Sequence, residues 1–328
     1  MFWYIVLICT ILLVLVYISM KLSPRRAQLK NKHVIVTGGS SGIGKAIAIL
    51  AAERGANVTI FARNKLRLEE AKTEIKQKLQ TGCKVQCISV DLSSNYEDVK
   101  KAVSEAEDKL GPVFMVVNSA GTSVSRSFQD LQADDFKKMM EANYYSAVFT
   151  TKAAVDSMVQ QQQGRLIFLS SQAGQIGLFG FSAYSGSKFA LRGMAEALQM
   201  EMTPHNIRVT VAFPPDTDTP GFQHELIGKP KETQLISETA GLLKPQDVAM
   251  AIIDDSLKGE FISYQGMDGW LLAHVTAGMS PATSLPRVIQ QFFLMGLFRV
   301  IGLFYLASFD SIVLKCKKEK DSEKVKAS

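Results

Sequence analysis

The chain reads as an α/β protein built on a doubly wound, seven-stranded parallel sheet, and three observations predict it. From residue 33 onward, short apolar runs of strand length alternate with helical stretches, the pattern of a parallel sheet covered on both faces. A glycine-rich stretch, Gly38-Gly39-Ser40-Ser41-Gly42-Ile43-Gly44, follows the first run and opens the first helix. Far downstream, Tyr184 and Lys188 stand four residues apart, with Ser171 thirteen residues before the tyrosine.

Taken in order, the strands are expected at His33 to Thr37, Asn57 to Phe61, Val85 to Val90, Val113 to Val117, Arg165 to Leu169, Arg208 to Phe213 and Glu260 to Tyr264. Val, Ile and Phe dominate these runs, and several are apolar without alternation, as strands buried on both faces require. Helices are expected between them, for example Gly44 to Arg54, Lys65 to Leu79 and Tyr96 to Leu110. Gln160 to Gln163 reads as a solvated helix end. Residues 33–265 thus form one nucleotide-binding domain with appendages at both ends.

Phe2 to Met20 carries no charge and is long enough to cross a bilayer as one helix. It has neither basic residues ahead of it nor a small-residue cleavage site behind it, so a retained membrane anchor over residues 1–22 is expected. Lys21, Arg25, Arg26, Lys30 and Lys32 contribute +5 and residues 315–328 contribute +3 against a total of +6, so everything between sums to about −2. Basic residues therefore flank apolar segments and form no nucleic-acid face; a lipid bilayer is the expected partner, and no nucleic acid. The positive flank behind the first apolar run places the domain in the cytosol.

A second apolar region covers residues 269–312. Val288 to Phe309 is long enough to span a bilayer, yet Arg299 near its middle is costly there. Three placements stay open: a hairpin with Trp270 to Met279 turning at Pro281 to Pro286, a helix in the membrane interface, or a cover over the active site. Residues 313–328 read as a basic cytosolic tail, in which Lys324 and Lys326 are spaced like a dilysine retrieval signal of the endoplasmic reticulum. Cys9, Cys83, Cys87 and Cys316 show neither a disulfide framework nor zinc spacing, which fits a reducing compartment. The four histidines form no helix-spaced pair, and no metal is expected.

Gly38, Ser40, Ser41, Gly42, Ile43 and Gly44 sit where a Rossmann-type fold cradles a pyrophosphate: glycines allow close backbone approach, and the helix N-terminus presents free amides. At the end of the second strand, where an acid would bind the ribose hydroxyls of NADH, the chain has Arg63, with Arg67 one turn on. A cation there suits a 2′-phosphate, so NADPH is the expected cofactor. Asp91 and Leu92 after the third strand suit the adenine, and Asn118 after the fourth lines the expected cleft. On a helix, Tyr184 and Lys188 project from one face, so the ammonium favours the ionised phenol and makes it a usable acid and base.

In this order and spacing, these motifs resemble the short-chain dehydrogenase/reductase family over roughly residues 33–265. The resemblance implies that Tyr184 protonates a carbonyl oxygen while hydride reaches the carbon, that Lys188 lowers the tyrosine pKa and holds the nicotinamide ribose, and that Asn143 orders a water in a proton relay. It also implies a serine that bonds the substrate oxygen, Ser171 by the thirteen-residue spacing, with Ser170 adjacent as the other candidate. Where many members have Pro-Gly after the sixth strand, this chain has Pro214-Pro215, which moves the carboxamide contacts to neighbouring amides or to Thr217 and Thr219.

Ser170 to Gln175, Gly177 to Phe181 and both apolar ends resemble the branch of the family that reduces long-chain sphingoid ketones at the cytosolic face of the endoplasmic reticulum. Leu178, Phe179 and Phe181 are then candidates for the acyl path. Reduction of steroid or retinoid carbonyls and a non-catalytic NADPH-binding scaffold are the competing readings. The chain is either a monomer or a homo-oligomer, for which the family resemblance points to the helix bearing Tyr184.

Overall fold

The computed structural model describes Trp3, Tyr4, Val6, Thr10 and residues 26–238 and 241–327, with backbone alone at 324, 326 and 327. The expected N-terminal anchor and its Lys21 and Arg25 lie almost wholly outside the described residues, as do the side chains of Lys324 and Lys326. The strands are β1 (His33–Thr37), β2 (Asn57–Ala62), β3 (Val85–Ser89), β4 (Val113–Asn118), β5 (Gly164–Leu169), β6 (Ile207–Phe213) and β7 (Ile262–Tyr264). They form one parallel sheet in the order β3-β2-β1-β4-β5-β6-β7. Each expected strand is present, with bounds shifted by two residues at most.

The helices in chain order are α1 (Gly42–Glu53), α2 (Lys65–Lys76), α3 (Tyr96–Leu110), α4 (Ala133–Met139), α5 (Ser146–Gln161) and α6 (Ser182–Met202). After them come α7 (Pro220–Glu225), α8 (Lys231–Ser237), α9 (Pro245–Lys258), α10 (Gly266–Val275) and α11 (Leu285–Ala327). Helices α1, α2 and α9 cover one face of the sheet, where Val34, Val36, Val58 and Ile60 point. On the other face α3, α5 and α6 cover Ile35, Phe61, Leu166, Phe168, Val209 and Val211. Neighbours along β1 thus enter opposite cores, the alternation that a strand dictates. Phe61, Phe168 and Phe213 are fully buried, each worth roughly 1.5–3 kcal/mol in burial alone.

The sheet order reverses between β1 and β4, and a crevice opens there at the carboxyl ends of the strands. Thr37, the last residue of β1, closes the base of this crevice. Its hydroxyl oxygen accepts from the amides of Ser119 and Ala120, both at 2.9 Å, and donates to the Val117 carbonyl at 3.3 Å. One side chain thereby shapes the turn after β4.

The C-terminal region is a hairpin of α10 and α11 laid against the domain, with the turn where Pro281 to Pro286 was expected to make it. Helix α11 runs without a break across residue 312, so the basic segment expected as a separate tail is the last part of a 43-residue helix. Three anchors hold it. At its start Arg287 pairs with Asp255 at 3.6 Å and Glu260 at 3.5 Å. Near its middle Phe298 packs on Trp270 of α10 with ring centroids 4.8 Å apart. At its end Glu319 and Lys320 pair with Lys231 and Glu232 of α8, each at 2.7 Å. By length and composition α11 is the one helix among the described residues that is apolar enough to cross a membrane.

Removing the Thr37 hydroxyl tests the base of the crevice. Thr37→Val strands two amides, and we expect a loss of about 1–3 kcal/mol in urea unfolding together with weakened cofactor binding; unchanged stability and affinity would show that the turn after β4 holds itself.

Candidate active site

The cleft above the crevice has a volume of about 1220 Å³. Its inner end is a backbone cradle. Gly38 takes a positive φ of +64°, and a Cβ on it would stand 3.0 Å from the Ala120 backbone. A Cβ on Gly44 would meet the Gly38 carbonyl oxygen at 2.5 Å. No larger residue fits at Gly44 without moving the loop. Ser41 precedes α1 without capping it, and no acidic residue lies in the first turn, so its free amides and positive dipole end are left for an anion. Ser40, Ser41, Gly42 and Ile43 all line the cleft here.

Beyond the cradle the cleft passes Arg63, Arg67, Asp91 and Leu92. Asn64 caps α2 by accepting from the Arg67 amide at 3.0 Å, which orients the first turn that carries the arginine. Among the described residues neither Arg63 nor Arg67 has an ion-pair partner within 4.0 Å. Partial burial opposes ionisation of Asp91, but the Ser93 hydroxyl at 2.7 Å, its amide at 3.1 Å and the nearby Arg63 charge hold the carboxyl below its ordinary range. Asn118 is not brought to the cleft. It is buried and donates to Thr151 on α5 at 3.0 Å, tying β4 to that helix, while Ser119, Ala120 and Gly121 form the wall.

The reacting centre gathers at the carboxyl ends of β4 and β5 around α6. Ser170 and Ser171 follow β5 with hydroxyls in different places. The Ser170 hydroxyl donates to the Lys188 carbonyl at 2.9 Å and is buried. Ser171 caps a short 3₁₀ turn, accepting from the Ala173 amide at 3.2 Å, and its hydroxyl lies beside the Tyr184 phenol, where it favours the ionised form. Lys188 sits in the same wall, its ammonium donating to the Leu169 carbonyl at 2.8 Å and lying 5.5 Å from the centre of the Tyr184 ring. Burial lowers the Lys188 ammonium to about 8. Tyr184 moves the opposite way to the expectation. Burial first, then the charges of Glu225 and Asp216, push the phenol well above its ordinary range against the Ser171 hydroxyl. Desolvation outweighs any help from the ammonium, and the phenol holds its proton.

Asn143 lies in a π-helical turn, Met140–Tyr145, between α4 and α5, a device that often marks a functional position. Its amide accepts from the Thr122 amide at 2.8 Å and donates to the Thr122 carbonyl at 3.0 Å and to Ser187 at 2.9 Å. The side chain is therefore a strut between the β4 turn and α6, with one lone pair of its oxygen still open. Asn143 and Lys188 converge on Gly121, where an added Cβ would stand 2.5 Å from Asn143 Oδ1 and 3.6 Å from Lys188 Nζ.

The outer end of the cleft is wide. Thr217 and Thr219 both line it: Thr217 donates to the Pro215 carbonyl at 2.9 Å, and Thr219 caps α7 by accepting from the Phe222 amide at 3.1 Å, which leaves the Thr219 proton free to donate. Leu178 and Phe181 line the cleft, whereas Phe179 does not; its carbonyl accepts from Thr233 at 2.8 Å. The sequence had not singled out Asp216, Glu225 and Lys229. The Lys229 ammonium, with only 1% of its side chain exposed, sits 3.1 Å from Glu225 and 3.8 Å from Asp216, leaving two carboxylates against one cation on the cleft wall. Nor could periodicity show that Arg299, Gly302, Tyr305, Leu306 and Phe309 of α11 roof this end.

A phosphate cradle at the β1–β4 switch, arginines without ion-pair partners beside it and a Ser-Tyr-Lys set in the cleft wall define a nicotinamide-dependent oxidoreductase. Residues 32–227 match the family model described as short chain dehydrogenase, and the chain belongs to that family. It is 53% identical over 310 residues to the 3-dehydrosphinganine reductase of Danio rerio, covering 94% of this chain and 93% of that protein. To the 3-ketodihydrosphingosine reductase of Bos taurus it is 52% identical over 309 residues, with 94% and 93% covered. Among solved structures, levodione reductase superposes with a TM-score of 0.65 at 20% identity, covering 70% of this chain and 92% of that one, a likeness of fold.

Two outcomes are expected of the reacting centre. Because Lys188 loses its charge above about pH 8 while Tyr184 stays protonated, kcat/KM for ketone reduction should fall on the basic side with an apparent pKa near 8; a profile flat to pH 10 would sink the assignment to Lys188. Ser171→Ala should cost about 10²-fold or more in kcat with little change in stability, whereas Ser170→Ala should mainly lower the unfolding midpoint; the reverse pattern would exchange their roles.

Proposed function

We propose that this chain reduces the C3 ketone of 3-ketodihydrosphingosine to dihydrosphingosine with NADPH, a step of sphingolipid synthesis, at the cytosolic face of the endoplasmic reticulum membrane. The observation that carries the reading is the extent of the likeness. A match over 94% of the chain to two reductases of this name leaves about 20 residues outside it, so it takes in most of the α10–α11 roof as well as the reductase fold. Substrate choice resides at that end of the cleft.

The residues present fit the cofactor. The Gly38–Gly44 cradle and the N-terminus of α1 would hold the pyrophosphate, Asp91 the adenine side, and Arg63 and Arg67 a 2′-phosphate. When bound, the cofactor supplies hydride to the ketone carbon. Tyr184, kept protonated by burial, gives its proton to the ketone oxygen as negative charge develops there. Ser171, beside the phenol on the cleft wall, aligns that oxygen. The Lys188 ammonium faces the phenolate that remains, and Asn143 keeps Lys188 and the β4 turn in register. Farther out, Asp216 and Glu225 flank Lys229 on the wall and Arg299 stands in the roof, so this end offers polar groups of both signs to the head of a substrate. The roof of Leu306 and Phe309 suits an alkyl chain.

The test is a panel of carbonyls offered to the detergent-solubilised full chain while NADPH oxidation is followed. Turnover of 3-ketodihydrosphingosine is expected, and turnover of a steroid ketone or retinal without it would move the chain to the competing substrate class. Tyr184→Phe should bind NADPH yet lose about 10²-fold or more in kcat, and a rate within a few-fold of the parent would refute the proton donor. Arg63→Ala should raise KM for NADPH about tenfold and leave NADH untouched; an equal effect on both cofactors would remove the 2′-phosphate from this site.

A further inference from the structure

Helix α11 has two apolar faces, and the domain occupies one of them. At about 100° per residue, Phe298, Gly302, Tyr305, Phe309 and Cys316 fall together on the side that meets α10, the cleft and α8. Phe298 is 5% exposed and Cys316 1%. The opposite side carries Phe293 at 69%, Leu297 at 57%, Val300 at 51% and Phe304 at 73%, with Leu314 continuing the stripe at 59%. Of the most apolar 18-residue window, only 6% is buried. Lys315 and Lys318 extend the same outer sector, and among the described residues neither has an ion-pair partner within 4.0 Å.

Such a row of large apolar side chains does not belong in water. Its composition suits a bilayer, but its anchoring excludes a crossing. Arg287 and Lys320 are 33 residues apart, about 50 Å along a helix, and both are tied to the same domain. A crossing would carry one end about 30 Å away from it and break either the Arg287 pairs or those of Glu319 and Lys320. Arg299 agrees with this geometry. A charge ruinous at a bilayer centre is aimed here into the cleft, on the flank of the helix and away from Phe293, Val300 and Phe304.

We propose that α11 is an in-plane membrane helix whose outer face, Phe293 to Leu314, docks on the surface of a lipid bilayer with anionic headgroups, while its inner face roofs the substrate end of the cleft. The apolar stripe sits at the boundary of headgroups and acyl chains, and Lys315 and Lys318 meet the headgroup charge. One helix then separates lipid from reacting centre, and the cleft mouth at its edge opens onto the bilayer. The docking geometry is independent of the substrate. Its reason, a long-chain ketone resident in the membrane, rests on the function proposed above.

Depth measurement decides it. Single spin labels are placed at residues 293, 297, 300, 304 and 314 of the full chain, with the native cysteines replaced, and oxygen and nickel-chelate accessibilities are read in phosphatidylcholine–phosphatidylserine vesicles. Equal, shallow depths at all five positions are expected. A ramp of about 1.5 Å per residue, roughly 30 Å from 293 to 314, would show a crossing and overturn the proposal; five water-accessible labels would overturn it equally. As a second readout, the pair Phe293→Asp and Phe304→Asp should raise KM for vesicle-borne long-chain ketone about tenfold and leave a short, water-soluble ketone within about twofold. Equal effects on both substrates would reduce the outer face to a structural role. Were the sphingoid ketone no substrate at all, the depth profile would still decide the docking.

Discussion

Everything at the site depends on the close approach of two backbones where β1 and β4 end. Gly38 and Gly44 have no room for a side chain, and Thr37 reaches across to hold the turn after β4. That junction creates the crevice, aims the N-terminus of α1 into it and sets where Gly121 comes to rest. Gly121 in turn lets Asn143 and Lys188 approach. Polar groups at the bottom of the cleft are positioned by backbone geometry, with the flanking helices buttressed by two apolar cores.

Electrostatics in this cleft is dominated by dehydration. A lysine beside a tyrosine suggests an acidified phenol, yet here both groups shift toward their neutral forms, Lys188 down and Tyr184 up. For a reductase that is a workable resting state, because the donor must carry its proton when the ketone arrives. The carboxylates of Glu225 and Asp216 reinforce it, since negative charge nearby discourages a phenolate. Lys229 tempers those carboxylates beneath the rings of Phe181 and Phe222, 5.6 and 5.5 Å away. The cleft wall thus carries polar groups on α7 and its flanking loops, with Leu306 and Phe309 adding apolar surface in the roof.

Much of this was legible in one dimension. Strands buried on both faces must be apolar runs, so all seven announced themselves, and the loop at Gly38 to Gly44 could be placed because a strand precedes it and a helix follows. Arg63 and Arg67 stood out as basic residues where an acid is usual. Other features could not be read. Asn118 and Ser119 are neighbours, and only the end of the strand decides that Asn118 turns toward Thr151 while Ser119 faces the cleft. Ser170 and Ser171 are equally ambiguous until the 3₁₀ turn directs one hydroxyl to Lys188 and the other to Tyr184.

The sequence by itself determined the fold class, the glycine-rich end of the cleft and the pairing of Tyr184 with Lys188, because these rest on local rules: strand period, glycine in a tight turn, and residues four apart on a helix. Tertiary structure alone decided the substrate end. Asp216, Glu225 and Lys229 come together only through the path of α7 and the loops around it, and α11 roofs the cleft only because its start, middle and end find partners on α9, α10 and α8. An apolar run of that length has the same composition whether it crosses a membrane or lies along a protein. What distinguishes the two is its side-chain partners, and they come from parts of the chain more than 20 residues away in sequence.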